Sequence, residues 1–177
     1  GAEASFVART VDSDRKHLTE VLRQAAAHPG TALVEIYQNC NIFNDGAFEV
    51  LKDKQQAEEA VIRLEHGKPI RFGTDQNKGV VRDRATGDLK VVAVTPENEA
   101  DVLVHDAHAT SPTTAFALSR LADPDTLHHT PIGVLRSVDR PVYDTQMSDQ
   151  LEAAIEQKGK GDLSALLAGN DTWTVED

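Results

Sequence analysis

Two stretches near the start of the chain are dense in β-branched and aromatic residues: Ser5 to Val11 (SFVARTV) and Thr31 to Gln38 (TALVEIYQ), the second with a nearly continuous apolar centre. Both predict strands. Between them Leu18, Val21, Leu22, Ala25 and Ala26 recur at helical spacing. Asp12 or Ser13 can cap this helix and Pro29-Gly30 stops it. A strand-helix-strand unit favours a right-handed parallel crossover, and a parallel pair needs both faces covered and further strands beside it. No obvious candidates follow, so the unit reads as the end of a larger α/β domain.

After Gly46 the pattern changes. Ala47 to His66 is polar and helix-forming, with Ala57, Ala60, Val61 and Leu64 on one face and Gly67 to end it. Pro69 to Phe72 predicts a short strand. Gly79 to Arg84 and Leu89 to Val94 predict a hairpin closed by Ala85-Thr86-Gly87-Asp88, where glycine tolerates a positive φ. Asp101 to Asp106 predicts a short buried strand, and Ser111-Pro112 opens a helix to about Leu121 with proline at its first position. Thr130 to Tyr143 is extended and punctuated by proline. Met147, Leu151, Ala154 and Ile155 mark a helix stopped by Gly159 and Gly161, and Asp162 to Ala168 a short one ended by Gly169. The expected fold is α/β: residues 1–46 as the carboxy-terminal strand-helix-strand portion of a parallel-sheet domain, and 47–177 as a mixed α+β extension.

Composition narrows the partners. The 177 residues carry 18 bases and 29 acids, and a formal charge of −11 repels nucleic acid and anionic membrane surfaces. No apolar run reaches the roughly 18–20 residues of a membrane span. The first residues lack a signal peptide's basic and apolar stretches, so the reading is cytoplasmic. Gly1 is not an initiator methionine, and an upstream segment is expected. From Arg63 to Lys90 seven bases face four acids, a net +3 that leaves −14 for the rest. That segment is either a docking patch for an acidic protein or an ordinary solvated hairpin face.

Cys40 is the chain's one cysteine. It lies in Gln38-Asn39-Cys40-Asn41-Ile42-Phe43-Asn44-Asp45, just past the second strand, where an open parallel sheet collects ligands. A thiol there is a nucleophile, a metal ligand or a buried small hydrophobe. Asn39, Asn41 and Asn44 offer amide donors for a cluster sulfide or a phosphate, and they also suit a loop. His105 and His108, with no third ligand nearby, read as hydrogen-bonded or surface residues, and the adjacent His128 and His129 point apart.

The stretch ALVEIYQNCNIFNDGAF (Ala32 to Phe48) resembles the β subunits of thiamine-dependent 2-oxoacid:ferredoxin oxidoreductases, as do GAEASFVARTVDSD at the start, VLVHDAH at 102–108 and TPIGVLRSVDRPVYD at 130–144. The wording QNCNIFND is nearer the 2-oxoglutarate branch than the pyruvate branch. The resemblance implies an αβ pair that decarboxylates a 2-oxoacid on thiamine diphosphate, transfers the acyl group to coenzyme A and passes electrons through a [4Fe-4S] cluster to ferredoxin. It makes residues 1–46 the end of the thiamine-diphosphate domain and Cys40 the fourth cluster ligand, with Asn41 and Asn44 near the cluster. The family's other three cluster cysteines are absent here. So are its Gly-Asp-Gly motif and the following asparagine, which hold Mg2+ on the diphosphate; Asn44-Asp45-Gly46 and Gly87-Asp88 do not match the spacing. One thiolate cannot hold four irons, so no catalytic residue is expected in this chain and it is expected to be inactive alone. The expected partners are the α subunit and ferredoxin, with 2-oxoacid and coenzyme A in the complete enzyme. The alternatives are a non-catalytic interaction domain derived from that subunit, the pyruvate-specific homologue, and a small thiol enzyme using Cys40.

Overall fold

The computed structural model describes residues 1–173 and 175. Two compact units divide the chain, Gly1–Arg140 and Pro141–Asp177.

In the first unit, strand β1 (Phe6–Val11), helix α1 (Arg15–Ala27) and strand β2 (Ala32–Tyr37) form the expected crossover, β1 lying parallel to β2 from Phe6↔Ala32 to Val11↔Tyr37. Asp14, rather than Asp12 or Ser13, caps α1, its Oδ1 accepting the amide of His17 at 3.1 Å. Asp12 is spent elsewhere, 3.6 Å from Lys52 Nζ.

The expectation that the chain supplies no further strands for this pair is overturned. The proline-punctuated stretch contains β7 (Thr130–Ser137), which joins β1 antiparallel, and β3 (Val61–Leu64) pairs parallel with β7, giving a four-stranded mixed sheet in the order β2-β1-β7-β3. Proline is tolerated in an interior strand because the ladder is divided. Thr130 to Gly133 register with β3 and Gly133 to Ser137 with β1, so Pro131 lies where only one neighbour pairs. The register on β1 slips between Val7 and Ala8, leaving Leu135 as the extra residue of a bulge.

The long helix expected over 47–66 is likewise corrected. It breaks into α2 (Glu49–Lys52) and α3 (Lys54–Ala60), and Val61-Ile62-Arg63-Leu64 leaves the helix as β3. The tetrapeptide satisfies both patterns, since Val61 and Leu64 also fit a helical face. Pairing with β7 wins because it seals Ile62 completely, at 0 % exposure, in a core with Ile70, Phe72, Val80, Leu118 and Leu135.

The second sheet is antiparallel: β4 (Arg71–Phe72), β5 (Lys78–Arg82) and β6 (Leu89–Ala93), in sequence order. Its hairpin turns where expected, with Gly87 at φ 81° and Asp83 Oδ1 accepting the amides of Ala85 and Thr86. The 101–106 stretch forms no regular strand but bridges Val102 to Val81 and Val104 to Pro69. Helix α4 (Thr113–Ser119) has Pro112 as its cap rather than its first residue.

The second unit holds α5 (Tyr143–Lys158), ended by Gly159, and α6 (Leu163–Ala168), capped by Asp162. Neither helix has a buried residue. No helix among the described residues is long and apolar enough to cross a membrane.

Two measurements check this account. Ile62→Ala should cost about 2–5 kcal/mol of stability in urea unfolding, the usual loss for emptying a sealed aliphatic site; a change within about 0.5 kcal/mol, the usual range for a surface site, would place Ile62 outside the core. The other concerns Glu59, whose carboxylate accepts from Lys78 Nζ at 2.6 Å and from the amide and hydroxyl of Thr74, both at 2.8 Å. Lys78 first, then the two Thr74 donors, hold its pKa down to about 2, from 4.5. A depressed carboxylate contributes stability that is complete above 4.5 and lost as pH falls towards 2. The gap between wild type and Glu59→Gln should therefore narrow over that interval, and a gap that stays constant would refute the pairing.

Candidate functional site at the end of strand β2

Strand β2 ends at Tyr37 and the chain turns into a closed loop, where Asn44 N donates to Cys40 O at 2.8 Å. Asn39 braces it, its Nδ2 donating to Asp45 Oδ1 at 3.0 Å and its Oδ1 accepting Gly46 N at 2.9 Å. The loop wraps the thiol. The nearby backbone amides of Phe43, then Ile42 and Asn44, hold the Cys40 pKa below the ordinary thiol value, because amide dipoles beside the anion favour it. Cys40 is half-buried and forms no disulfide.

Of the three asparagines, Asn39 takes the loop-forming role that its residue type also suits. Asn39 uses its side chain on the loop itself, and Asn44 contributes its backbone N–H. The side chains of Asn41 and Asn44 enter no hydrogen bond among the described residues.

The setting is apolar and open. Ile42 and Phe43, flanking the thiol, are exposed, Phe43 at 89 %. Strand β2 is the free edge of its sheet, and Leu33 and Ile36 on it are exposed as well. An apolar strand on an open edge invites pairing with another segment. Behind it the end of β2 is rigidly placed: Tyr37 stacks on Phe48 with centroids 4.8 Å apart, and the Arg9 guanidinium lies 5.3 Å from the Tyr37 ring.

His105 is sealed, with Nε2 2.7 Å from Val134 O, and burial pushes its pKa down. His108 Nδ1 lies 2.6 Å from Ser137 O. Both serve as hydrogen-bonding residues between strand and loop. No group of three or more His, Cys, Asp or Glu among the described residues is arranged to hold a metal ion.

The basic segment is neutralised. Arg63 pairs with Asp14, Lys68 with Glu65, Arg71 with Glu99, Lys78 with Glu59, Arg84 with Asp101 and Lys90 with Asp83. Arg82 donates to Gly87 O and Thr114 Oγ1. A cleft of ≈ 960 Å³ beside it, lined partly by Arg63, Lys68 and Arg71, carries no unpaired base among these three. Sequence inspection missed one residue that the structure singles out. Arg136 is buried on β7 without a carboxylate partner among the described residues, and only the placement of its strand reveals it.

No family model matches the chain. It is 50 % identical, over 99 % of its length, to 2-oxoglutarate oxidoreductase subunit KorB of Mycobacterium tuberculosis, of which it covers 47 %. It is 26 % identical, over 54 % of its length, to the 2-oxoacid:ferredoxin oxidoreductase subunit beta of Saccharolobus solfataricus, of which it covers 32 %. The chain spans half or less of the length of these relatives. It is thus a homologue, over nearly its whole length, of part of a 2-oxoacid oxidoreductase β subunit.

Proposed function

We propose that this chain is the carboxy-terminal part of a cytoplasmic 2-oxoglutarate:ferredoxin oxidoreductase β subunit and supplies one ligand, Cys40, to a [4Fe-4S] cluster. The observation that carries the reading is the place of Cys40 on a closed loop at the carboxyl end of an apolar, open-edged strand. The 50 % identity to a 2-oxoglutarate oxidoreductase subunit supports the substrate class. When bound, the cluster supplies one-electron transfer. The chain's own residues hold the fourth sulfur as a thiolate beside the amides of Ile42, Phe43 and Asn44, and hydrogen bonds to sulfur tune a cluster's potential. Ile42 and Phe43 would cover it from water. One thiolate fits a single corner of a cluster, so the remaining ligands belong to the rest of the subunit.

In this reading residues 1–46 close the thiamine-diphosphate domain, and 47–177 form the extension that contributes β7 and β3 to the same sheet. Subunit contact suits α5, where Tyr143, Met147, Leu151 and Ile155 stand four residues apart and exposed. The α subunit is the proposed partner. Thiamine diphosphate, Mg2+, coenzyme A and ferredoxin are proposed for the complete enzyme, not for this piece, and the neutralised Arg63 to Lys90 surface gives the interaction-domain alternative no support.

Two outcomes follow. In the chain alone, the rate of Cys40 alkylation against pH should have its midpoint below the roughly 8.5 of a free cysteine; a midpoint at or above that value would refute this influence of the amides. In the complete enzyme, Cys40→Ala should deplete iron and labile sulfide and block ferredoxin reduction, while decarboxylation of 2-oxoglutarate persists in part. Retention of a full cluster would return Cys40 to a structural thiol.

A further inference from the structure

Arg136 lies on β7 at 3 % exposure, and a guanidinium stays protonated at any physiological pH. Its Nη2 donates to Thr110 O at 3.0 Å, but Nε and Nη1 have no acceptor among the described residues. No carboxylate among the described residues lies within 4.0 Å of it. The contrast with Arg9, the other buried arginine, is direct, because Arg9 meets Glu35 at 2.6 Å. A buried cation without a counter-charge is costly, so a fold that retains one calls for an anion nearby.

Space for that anion exists. A pocket of ≈ 320 Å³ adjoins Arg136, and its lining includes His108, Thr110, Asp139 and Arg140. Arg140 is already matched, its Nη2 3.0 Å from Glu3 Oε2. His108 turns Nδ1 to Ser137 O at 2.6 Å. Asp139 opposes an anion but is exposed and makes no ion pair among the described residues, so its charge is the solvent-screened one and that of Arg136 is not.

We propose that this pocket binds a small oxyanion, a carboxylate or phosphate group of a free ligand, with Arg136 as the resident counter-charge and Arg140 at its wall. The inference rests on this pocket alone and does not depend on the role of Cys40. Calorimetric titration of the complete enzyme at fixed ionic strength, with orthophosphate and separately with acetate, tests it on wild type, Arg136→Met, Arg136→Lys and Arg140→Gln. Wild type should show a saturable site with a dissociation constant of about 1 mM or tighter, weakened at least ~10-fold in Arg136→Met and less in Arg136→Lys. Binding of orthophosphate alone identifies a phosphate group, and binding of acetate alone a carboxylate. Should Arg136→Met not fold, weakened binding in Arg140→Gln together with an anion found beside Arg136 in crystals soaked in orthophosphate or acetate would carry the same conclusion. Anion binding that is absent, or insensitive to both positions, overturns it. So does a structure of the complete subunit in which a protein carboxylate already fills the pocket.

Discussion

A single buried guanidinium organises the main sheet. Arg9 sits on β1 directly across from Glu35 on β2, donates to Glu35 at 2.6 Å and to Ser119 O at the end of α4 at 3.0 Å, and reaches Pro131 O on β7 at 3.5 Å. One side chain thus fixes strands that run in opposite directions and the helix packed against them. Burying the charge is tolerable because its donors are spent on acceptors and Glu35 keeps its own carboxylate half in water, so the pair avoids the full desolvation cost of a sealed ion pair. Gly133, the register partner of Arg9 on β7, is held to glycine by the other neighbour, since its backbone at φ 117° lies so close to β3 that an added Cβ would fall 2.7 Å from Leu64 O. The end of β2 inherits this placement, since the guanidinium also lies over Tyr37, three residues before Cys40.

What could be read from the sequence follows from how local each determinant is. The crossover of β1, α1 and β2 was legible because helical spacing, a proline-glycine stop and two β-rich runs are all encoded within about 33 residues. The hairpin of β5 and β6 was legible for the same reason. Strands β3 and β7 were not. Val61-Ile62-Arg63-Leu64 continues a helical stripe as well as it starts a strand, and the choice is made by Thr130 to Gly133, almost seventy residues away. Proline and glycine in TPIGVLRS argued for an irregular segment, whereas their cost vanishes once β7 divides its pairing between two neighbours.

Charge behaves similarly. A net +3 over residues 63–90 is true as a count, yet four of the acids that neutralise it, Asp14, Glu59, Glu99 and Asp101, lie outside that segment. Each exposed pair is worth little in stability, but together they remove a field that a linear count would have taken for a docking surface. Arg136 is the converse case, an unremarkable base in sequence that has no counter-charge among the described residues once its strand is placed inside.

The Cys40 loop shows how far topology and how far loop closure each determine the surroundings of a residue. Position followed from topology, because the carboxyl end of a parallel strand is where an open sheet leaves room for a ligand. The three asparagines offer side-chain donors, and a loop that closes on itself in five residues also brings backbone amides near the thiol, which lower its pKa. Backbone donors suit a thiolate better than asparagine amides would. They are fixed by the closure of the loop, lose no side-chain entropy on meeting the anion, and leave the neighbouring side chains free to be apolar. Ile42 and Phe43 use that freedom, and both stand exposed beside the open edge of β2 as an apolar surface.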